Sequence, residues 1–257
     1  MPPDKLIMTS SQVGRGTETD TIRPPRPRNP CHACDVREMS VCSSLEPAEL
    51  DRLSAIASKV TVDARATIIY EGEEADNVFN LTLGTVRLSK MLPDGRRQIT
   101  GFLFPGDFLG LVFNETYGYT AEAVTAVSLC RFPRWKFEAL LSKFPHLEKR
   151  LLSIASNELM AAQDQMLLLG RKSSQEKVAS FLLMLSRRAA RHGLPDNPID
   201  LPMNRADIAD YLGLTTETVS RALKRLHKNG LLTLPSPSQV ALLQPEALEE
   251  LTGDDLP

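Results

Sequence analysis

Three patterns of apolar and polar residues follow one another along the chain and divide it. From Thr61 to Phe132 the two kinds alternate in short runs: Ala66 to Tyr70, Val78 to Leu83, Thr85 to Leu88 and Gln98 to Phe104. Gly72, Gly84, Gly95 and Gly106 punctuate these runs at intervals of 11 or 12 residues, and Pro93-Asp94-Gly95 is a turn sequence. Alternation with regular turn signals predicts a β-barrel or jelly roll. Arg134 to Phe144 then reads as a short helix. Pro145, tolerated in a first turn but not in mid-helix, opens a long one that runs to about Leu169. On it Leu152, Ala155, Leu159, Ala162, Met166 and Leu169 recur every three or four residues, the spacing of a coiled-coil seam between two chains. The same face could instead pack on its own barrel. Leu147, Leu151 and Ile154 leave enough apolar surface for both uses.

The third pattern is helical with strong punctuation. Gly170-Arg171-Lys172 reads as a hinge, and Ser173 with Glu176 forms a capping box that starts a helix from Ser174 to Arg191. Val178, Phe181, Leu182 and Leu185 form its core stripe, His192-Gly193 ends it, and Leu194 to Pro202 is a proline-rich connector. Asn204 caps a further helix to Leu212, Gly213 supplies a left-handed turn, and Thr215 caps a second helix whose Val219, Leu223 and Leu226 face inward. Two helices so joined read as a helix-turn-helix. Glu217, Ser220 and Arg221 come together on the opposite face near the helix N-terminus, the end that such helices insert into the major groove. Arg221 can donate a fork to guanine O6 and N7, Glu217 can accept from cytosine N4, and Ser220 can contact a base or a phosphate. Thr216, Lys224, Arg225 and Lys228 are candidates for the DNA backbone. Spacing alone also fits a helical hairpin with a solvated charged face. Strand-like Leu231 to Leu234, the turn Pro235 to Ser238 and strand-like Gln239 to Leu243 favour DNA binding, because together they make a wing.

Composition changes this picture in two places. At 257 residues, 42% hydrophobic and 24% charged, the chain has room for two modest domains, and its net charge of -2 gives no overall attraction to nucleic acid. DNA affinity must therefore come from a local basic face. No apolar run reaches the roughly 18 residues of a membrane span, and the N-terminus has no signal-peptide core, so no membrane partner and a cytoplasmic place are expected. There the four cysteines need an explanation other than structural disulfides. Met1 to Pro30, with its run Arg23 to Pro30, reads as a flexible arm. Cys31, Cys34 and Cys42 then crowd three thiols into twelve residues with nothing around them to build a core, which is a ligand spacing. The remaining Cys130 ends a strand-like run and reads equally as a fourth ligand or as a small core residue. His32 is a strained substitute ligand. The acidic tail Glu246 to Asp255 reads as a solvated end, and no flavin or nicotinamide fingerprint suggests an enzyme.

A winged helix-turn-helix whose second helix carries Glu217, Ser220 and Arg221 resembles the CRP/FNR family of bacterial transcription regulators, and its FNR branch in particular. The cysteine spacing resembles the FnrL/FnrN type of alphaproteobacteria rather than the enterobacterial pattern. The resemblance implies an α+β fold: an N-terminal jelly-roll β-barrel like a cyclic-nucleotide-binding domain, a long dimerisation helix, and a C-terminal winged helix-turn-helix. The expected division is an arm over 1–30, cluster loop, barrel and short helix over 31–144, dimerisation helix over 145–170, and DNA-binding domain over 171–257. It further implies one [4Fe-4S] cluster per subunit on Cys31, Cys34, Cys42 and Cys130, so that dimerisation and DNA binding respond to oxygen. The DNA partner would be an FNR-like inverted repeat, TTGAT and ATCAA four base pairs apart, with RNA polymerase as a further partner. Family members that bind cyclic nucleotides pair the phosphate with an arginine. Here no Lys or Arg occurs from Gln98 to Cys130, and Gly110 is followed by Leu111 where those members carry a glutamate, so no cyclic nucleotide is expected. Two rivals remain: a constitutive regulator with a four-cysteine zinc site, and an electron-transfer iron-sulfur protein, which leaves the helix-turn-helix unexplained.

Overall fold

Alternating positions fold as two antiparallel sheets in a computed structural model, which describes residues 29–111 and 115–253. The first sheet has the order β1 (Ser58–Val62), β8 (Val127–Pro133), β3 (Asn77–Leu83), β6 (Phe108–Leu109); the second β2 (Thr67–Ile69), β7 (Thr120–Ala123), β4 (Val86–Met91), β5 (Arg97–Leu103). Except for β4 and β5, neighbours in space are not consecutive in sequence, the crossing pattern of a jelly roll. Period-2 alternation sends Ile69, Leu81, Val86 and Leu129 into the space between the sheets. Gly84 turns β3 into β4 with φ +86°, and a Cβ there would collide with the carbonyl of Ala126, so the turn admits no other residue. The arm expected over residues 1–30 lies, up to residue 28, outside the described residues.

Outside the barrel, β1-β8-β3-β6 carries a second core. Helix α1 (Pro47–Ile56), α2 (Arg134–Leu141) and the first turns of α3 (Pro145–Arg171) close over it with Leu50, Leu53, Phe137, Leu147 and Leu151. Helix α1 was not anticipated from the sequence; its start is a capping box between Glu46 and Glu49. The cysteine loop joins this core. Three short 3₁₀ turns, Pro30–Ala33, Arg37–Met39 and Val41–Ser44, bury Val36, Val41 and Leu45. The expectation that nothing near the cysteines builds a core is therefore corrected: the apolar residues are few and irregularly spaced, but they land on a surface that the barrel provides.

The C-terminal part follows its punctuation closely. Helix α4 (Ser174–Arg191) starts at the Ser173/Glu176 box, α5 (Arg205–Leu212) at Asn204, and α6 (Thr216–Lys228) at Thr215, with Gly213 at φ +61° between the last two. The wing is β10 (Leu232–Ser236) and β11 (Gln239–Leu242). A third strand, β9 (Ile199–Asp200), pairs with β11 inside the segment expected to be only a connector. The expected solvated tail is also corrected. Pro245–Thr252 is helix α7, whose fully buried Leu248 packs into the helical core while Arg187 of α4 holds Glu249 at 2.9 Å.

Barrel and DNA-binding part are joined through β5 and α5. Ile99 and Phe102 of β5 belong to the same buried cluster as α4, α5 and α6, with the Phe102 ring 5.4 Å from Tyr211 and 6.2 Å from Phe181. An ion network frames this contact. Arg87 grips Glu122 with two bonds of 3.1 Å and reaches Asp207 at 2.7 Å, while Arg97 donates to Asp210 at 2.6 and 3.0 Å. Asp207 is 2% exposed and is also the residue whose carboxylate closes the α5 capping box on Asn204. Farther along, Arg188 donates to both oxygens of Asp107 at 2.7 Å and stacks over Phe104. Among the described residues no helix is long and apolar enough to cross a membrane.

Candidate functional site

Helix α6 owes its outward face to its inward one. Val219, Ala222, Leu223 and Leu226 are buried, which fixes Thr216, Glu217, Arg221, Lys224, Arg225 and Lys228 as exposed and Ser220 as half-buried. The first turn is built to present polar groups. Thr215 accepts from the Thr218 backbone at 3.2 Å, the Thr215 and Thr218 hydroxyls lie 3.0 Å apart, and Arg221 donates to the Thr218 hydroxyl at 3.2 Å. Free backbone N–H at the helix start, the Thr215 hydroxyl and the Arg221 charge hold the Glu217 carboxyl below the usual carboxylate range. Glu217 is thus an acceptor and Arg221 a fork donor on one accessible helix end.

Sequence reasoning missed part of this surface. Ser174 and Gln175, at the N-terminus of α4, border an open concavity of about 400 Å³ with Thr218, Arg221 and Arg225. Their signal was present in the Ser173 cap but was read only as a helix start. Arg205 donates to the Pro237 carbonyl at 3.3 Å and His227 meets the Leu232 carbonyl at 3.0 Å, so the wing is tied to both helices of the motif.

The cysteine site is assembled from two elements. The loop brings Cys31, Cys34 and Cys42; β8 brings Cys130, and Cys31, Cys42 and Cys130 all pack against the core that contains Val41, Phe132 and Leu147. Side-chain caps set the loop: Asn29 accepts from the Cys31 backbone at 2.9 Å, and buried Ser40 from the Cys42 backbone at 3.2 Å. Burial pushes the Cys42 thiol up to about 12, with Cys31, Cys130 and Cys34 adding to the rise against a lowering bond from Ser40. Burial likewise pushes Cys130 to about 11, with Cys31 and Cys34 adding and Lys59 opposing. The Cys42 thiol thus lies near Cys31, Cys34 and Cys130, and the Cys130 thiol near Cys31 and Cys34. His32 turns away, its Nε2 lying 2.9 Å from Asp51. Among the described residues no three His, Cys, Asp or Glu side chains are placed to hold a metal ion. A zinc cage needs its sulfurs at about 2.3 Å from one point. Four cysteine thiols are also the donor set that holds an iron–sulfur cluster.

Helix α3 separates its two apolar faces. Leu147 and Leu151 are buried on the barrel side, whereas Leu152, Leu159 and Met166 are 69, 62 and 71% exposed, with Ala162 exposed and Ala155 half-buried beside them. These five positions form one unpartnered stripe. Leu169, the sixth position of the expected seam, is drawn inward: its Cδ2 lies 3.2 Å from where a Cβ of Gly213 would stand, and it packs on the helical core.

Comparison with known proteins agrees with this architecture. A cyclic nucleotide-binding domain model matches residues 59–144 and a Crp-like helix-turn-helix domain model matches residues 176–251. The chain is 42% identical to the transcriptional activatory protein AadR of Rhodopseudomonas palustris, over 86% of this chain and 92% of that one. It is 38% identical to the transcriptional activator FnrL of Cereibacter sphaeroides, over 88% and 92%. The solved structure of FixK2 from Bradyrhizobium japonicum superposes with a TM-score of 0.72 at 39% identity, covering 76% of this chain and 97% of that one. With the jelly roll, the long helix and the winged motif in this order, the chain belongs to the CRP/FNR family of DNA-binding transcription regulators, on its FNR side.

Proposed function

We propose that this regulator senses oxygen through a [4Fe-4S] cluster held by Cys31, Cys34, Cys42 and Cys130, and binds DNA as a homodimer when that cluster is intact. The observation that carries the reading is that one loop brings Cys31, Cys34 and Cys42 near Cys130 of β8, with Cys31, Cys42 and Cys130 packed on a shared apolar core. The cluster, when bound, supplies oxygen-labile iron and sulfide. The chain's own residues do the rest. Ser40 and Asn29 fix the loop that carries the thiols, the apolar core covers one side of the half-buried Cys31, Cys42 and Cys130, and Leu152, Ala155, Leu159, Ala162 and Met166 pair two α3 helices. Pairing links two copies of α6, and a linked pair gains effective concentration, so loss of the dimer weakens DNA binding by orders of magnitude.

The DNA site fitting this reading is the inverted repeat TTGAT and ATCAA separated by four base pairs, with half-sites about one helical turn apart. Glu217, Ser220 and Arg221 read its bases, Lys224, Arg225 and Lys228 neutralise phosphates, and Thr216 and the N–H groups at Ser174 and Gln175 donate hydrogen bonds to them. A cyclic nucleotide does not suit the barrel, because no Lys or Arg from Gln98 to Cys130 can pair its phosphate and Gly110 is followed by Leu111. The protein works in the cytoplasm, with RNA polymerase as its further partner. A constitutive regulator with a four-cysteine zinc site is the rival.

Visible absorption of anaerobically purified protein tests the proposal. The expected protein is straw-brown and bleaches in air, and Cys130→Ser loses the colour as fully as Cys34→Ser. A colourless protein holding one tight zinc ion sinks it.

A further inference from the structure

Asn80 is the one carboxamide among the buried polar residues of the barrel, 2% exposed in the middle of β3 between Phe79 and Leu81. Its Oδ1 has no hydrogen-bond partner among the described residues. A carboxamide so placed costs stability that a leucine would not, because its bonds to water are lost and not replaced. Its position says what it faces. In the register of the first sheet Asn80 lies directly opposite Cys130 on one side and Phe108 on the other. Cys130, Phe108 and Val78, two residues before Asn80, all belong to the core that also receives Cys31 and Cys42, whereas Phe79 and Leu81 point between the sheets. Cross-strand partners share a face, with Cβ atoms about 5 Å apart. Asn80 therefore stands in the floor of the cysteine site, beside its only ligand from the barrel.

We propose that Asn80 is a positioning residue that donates its carboxamide N–H to the Cys130 thiolate when that sulfur is bound to iron, and that it thereby slows oxidative loss of the cluster. The inference rests on the cluster reading above. The two ends of a carboxamide have the same shape, so the unpartnered end can turn to present NH₂ instead of oxygen. An anionic sulfur is the acceptor that such a buried donor lacks. Hydrogen bonds to cluster sulfurs favour the more reduced state and raise the potential. A donor at Cys130 makes electron loss to oxygen harder.

Asn80→Leu removes the donors at similar volume, and Asn80→Asp keeps the shape but offers only acceptors. In anaerobically purified protein transferred to air-saturated buffer, the visible absorption of Asn80→Leu should bleach about 3- to 10-fold faster than wild type, and that of Asn80→Asp faster still. The Fe–S(Cys) stretching bands should shift less in deuterium oxide for Asn80→Leu than for wild type. Cluster-free Asn80→Leu should melt at the same temperature as cluster-free wild type or higher, since the buried Oδ1 it removes has no hydrogen-bond partner among the described residues. Equal bleaching rates in all three proteins overturn the inference, as does a lower melting temperature for cluster-free Asn80→Leu with unchanged bleaching, which marks Asn80 as a packing residue only. A wild-type protein that takes up no iron and sulfide overturns the cluster reading and this inference together; one that takes them up but ignores Asn80 overturns this inference alone.

Discussion

Leu151 and Leu152 are neighbours on α3, yet one is 8% and the other 69% exposed, and truncating each to alanine should have opposite consequences. Removing three buried carbons costs ~2.4 kcal/mol at about 0.8 kcal/mol per CH₂. Leu152 already hides about a third of its surface in the single chain, so pairing adds roughly 1.6 kcal/mol per copy. A two-fold seam contains the residue twice, and the sum of ~3 kcal/mol raises the dimer dissociation constant by about two orders of magnitude. The folded monomer should barely change, because exposed substitutions stay within about 0.5 kcal/mol. Leu151→Ala instead leaves a hole in the core beneath the cysteine loop and should cost about 2–5 kcal/mol of folding stability. Sedimentation equilibrium gives the first quantity, and urea unfolding at concentrations below dimer dissociation gives the second. A dissociation constant for Leu152→Ala equal to that of wild type refutes the seam, whatever its effect on stability.

Three further outcomes follow from the same geometry. Arg221→Ala should cost about 1–3 kcal/mol on the inverted repeat and relax selection at one guanine, whereas Lys224→Ala should weaken all sequences alike; gel-shift titrations against specific and scrambled DNA separate them. Asp207→Ala removes a buried partner of Arg87 together with the reciprocal half of the α5 cap, and should destabilise by about 3–5 kcal/mol, with calorimetry resolving barrel and DNA-binding part as separate transitions. Ala162→Asp sets two carboxylates facing across the seam. Pairing raises their pKa above that of the free monomer, so the mutant should dimerise normally below the monomer value and lose pairing as pH rises through the raised one. Sedimentation at about pH 3.5, below the ordinary aspartate value of about 3.9, and at pH 8 checks this, and equal dissociation constants for mutant and wild type at pH 8 would place Ala162 outside the seam.

What could be read from the sequence was local. Asn204, Gly213 and Thr215 act on their own backbone within three residues, so the helix-turn-helix was legible to the residue. The jelly roll was legible because alternation needs no knowledge of the partner strand. Elements that depend on a distant surface were not. Helix α7 hides its apolar Leu248 among five glutamates and aspartates between residues 246 and 255, and only α4 shows which face matters. Strand β9 has two residues and exists because β11 offers an edge. Val36, Val41 and Leu45 follow no period, since the 3₁₀ turns carrying them are shaped by Asn29, Ser40 and the barrel beneath. The Arg87–Asp207 bond joins residues 120 apart, and neither sequence neighbourhood announces it.

These long-range contacts bear on how pairing of α3 can reach DNA. The last carbonyls of α5 have no partners within their own helix. Three different elements supply them: Gln98 of β5 donates to Asp210 at 2.6 Å, Gln165 of α3 to Tyr211 at 2.8 Å, and buried Lys177 of α4 to Leu212 at 3.2 Å. Leu169 of α3 rests on the adjoining Gly213. The turn between α5 and α6 is thus held by the barrel, α3 and α4 at once. A shift of α3 against the barrel cannot leave that turn in place without breaking at least one of these bonds, and α6 starts three residues beyond Gly213. On the cysteine side, the Cβ a non-glycine residue would add at Gly106 stands 2.8 Å from Met39 in the cysteine loop, and the next residue, Asp107, clamps Arg188 of α4. Contacts from the cysteine side and from α3 therefore both end on the C-terminal helices, the first on α4 through Asp107 and the second on α5 through Gln165. Asp107→Asn should weaken that clamp, because a carboxamide offers Arg188 one acceptor oxygen where the carboxylate offers two, and hydrogen exchange at α4 and α6 should then rise even in a protein whose dimer is intact. Unchanged exchange there would mean that only pairing of α3, and not the barrel turn, communicates with the recognition helix.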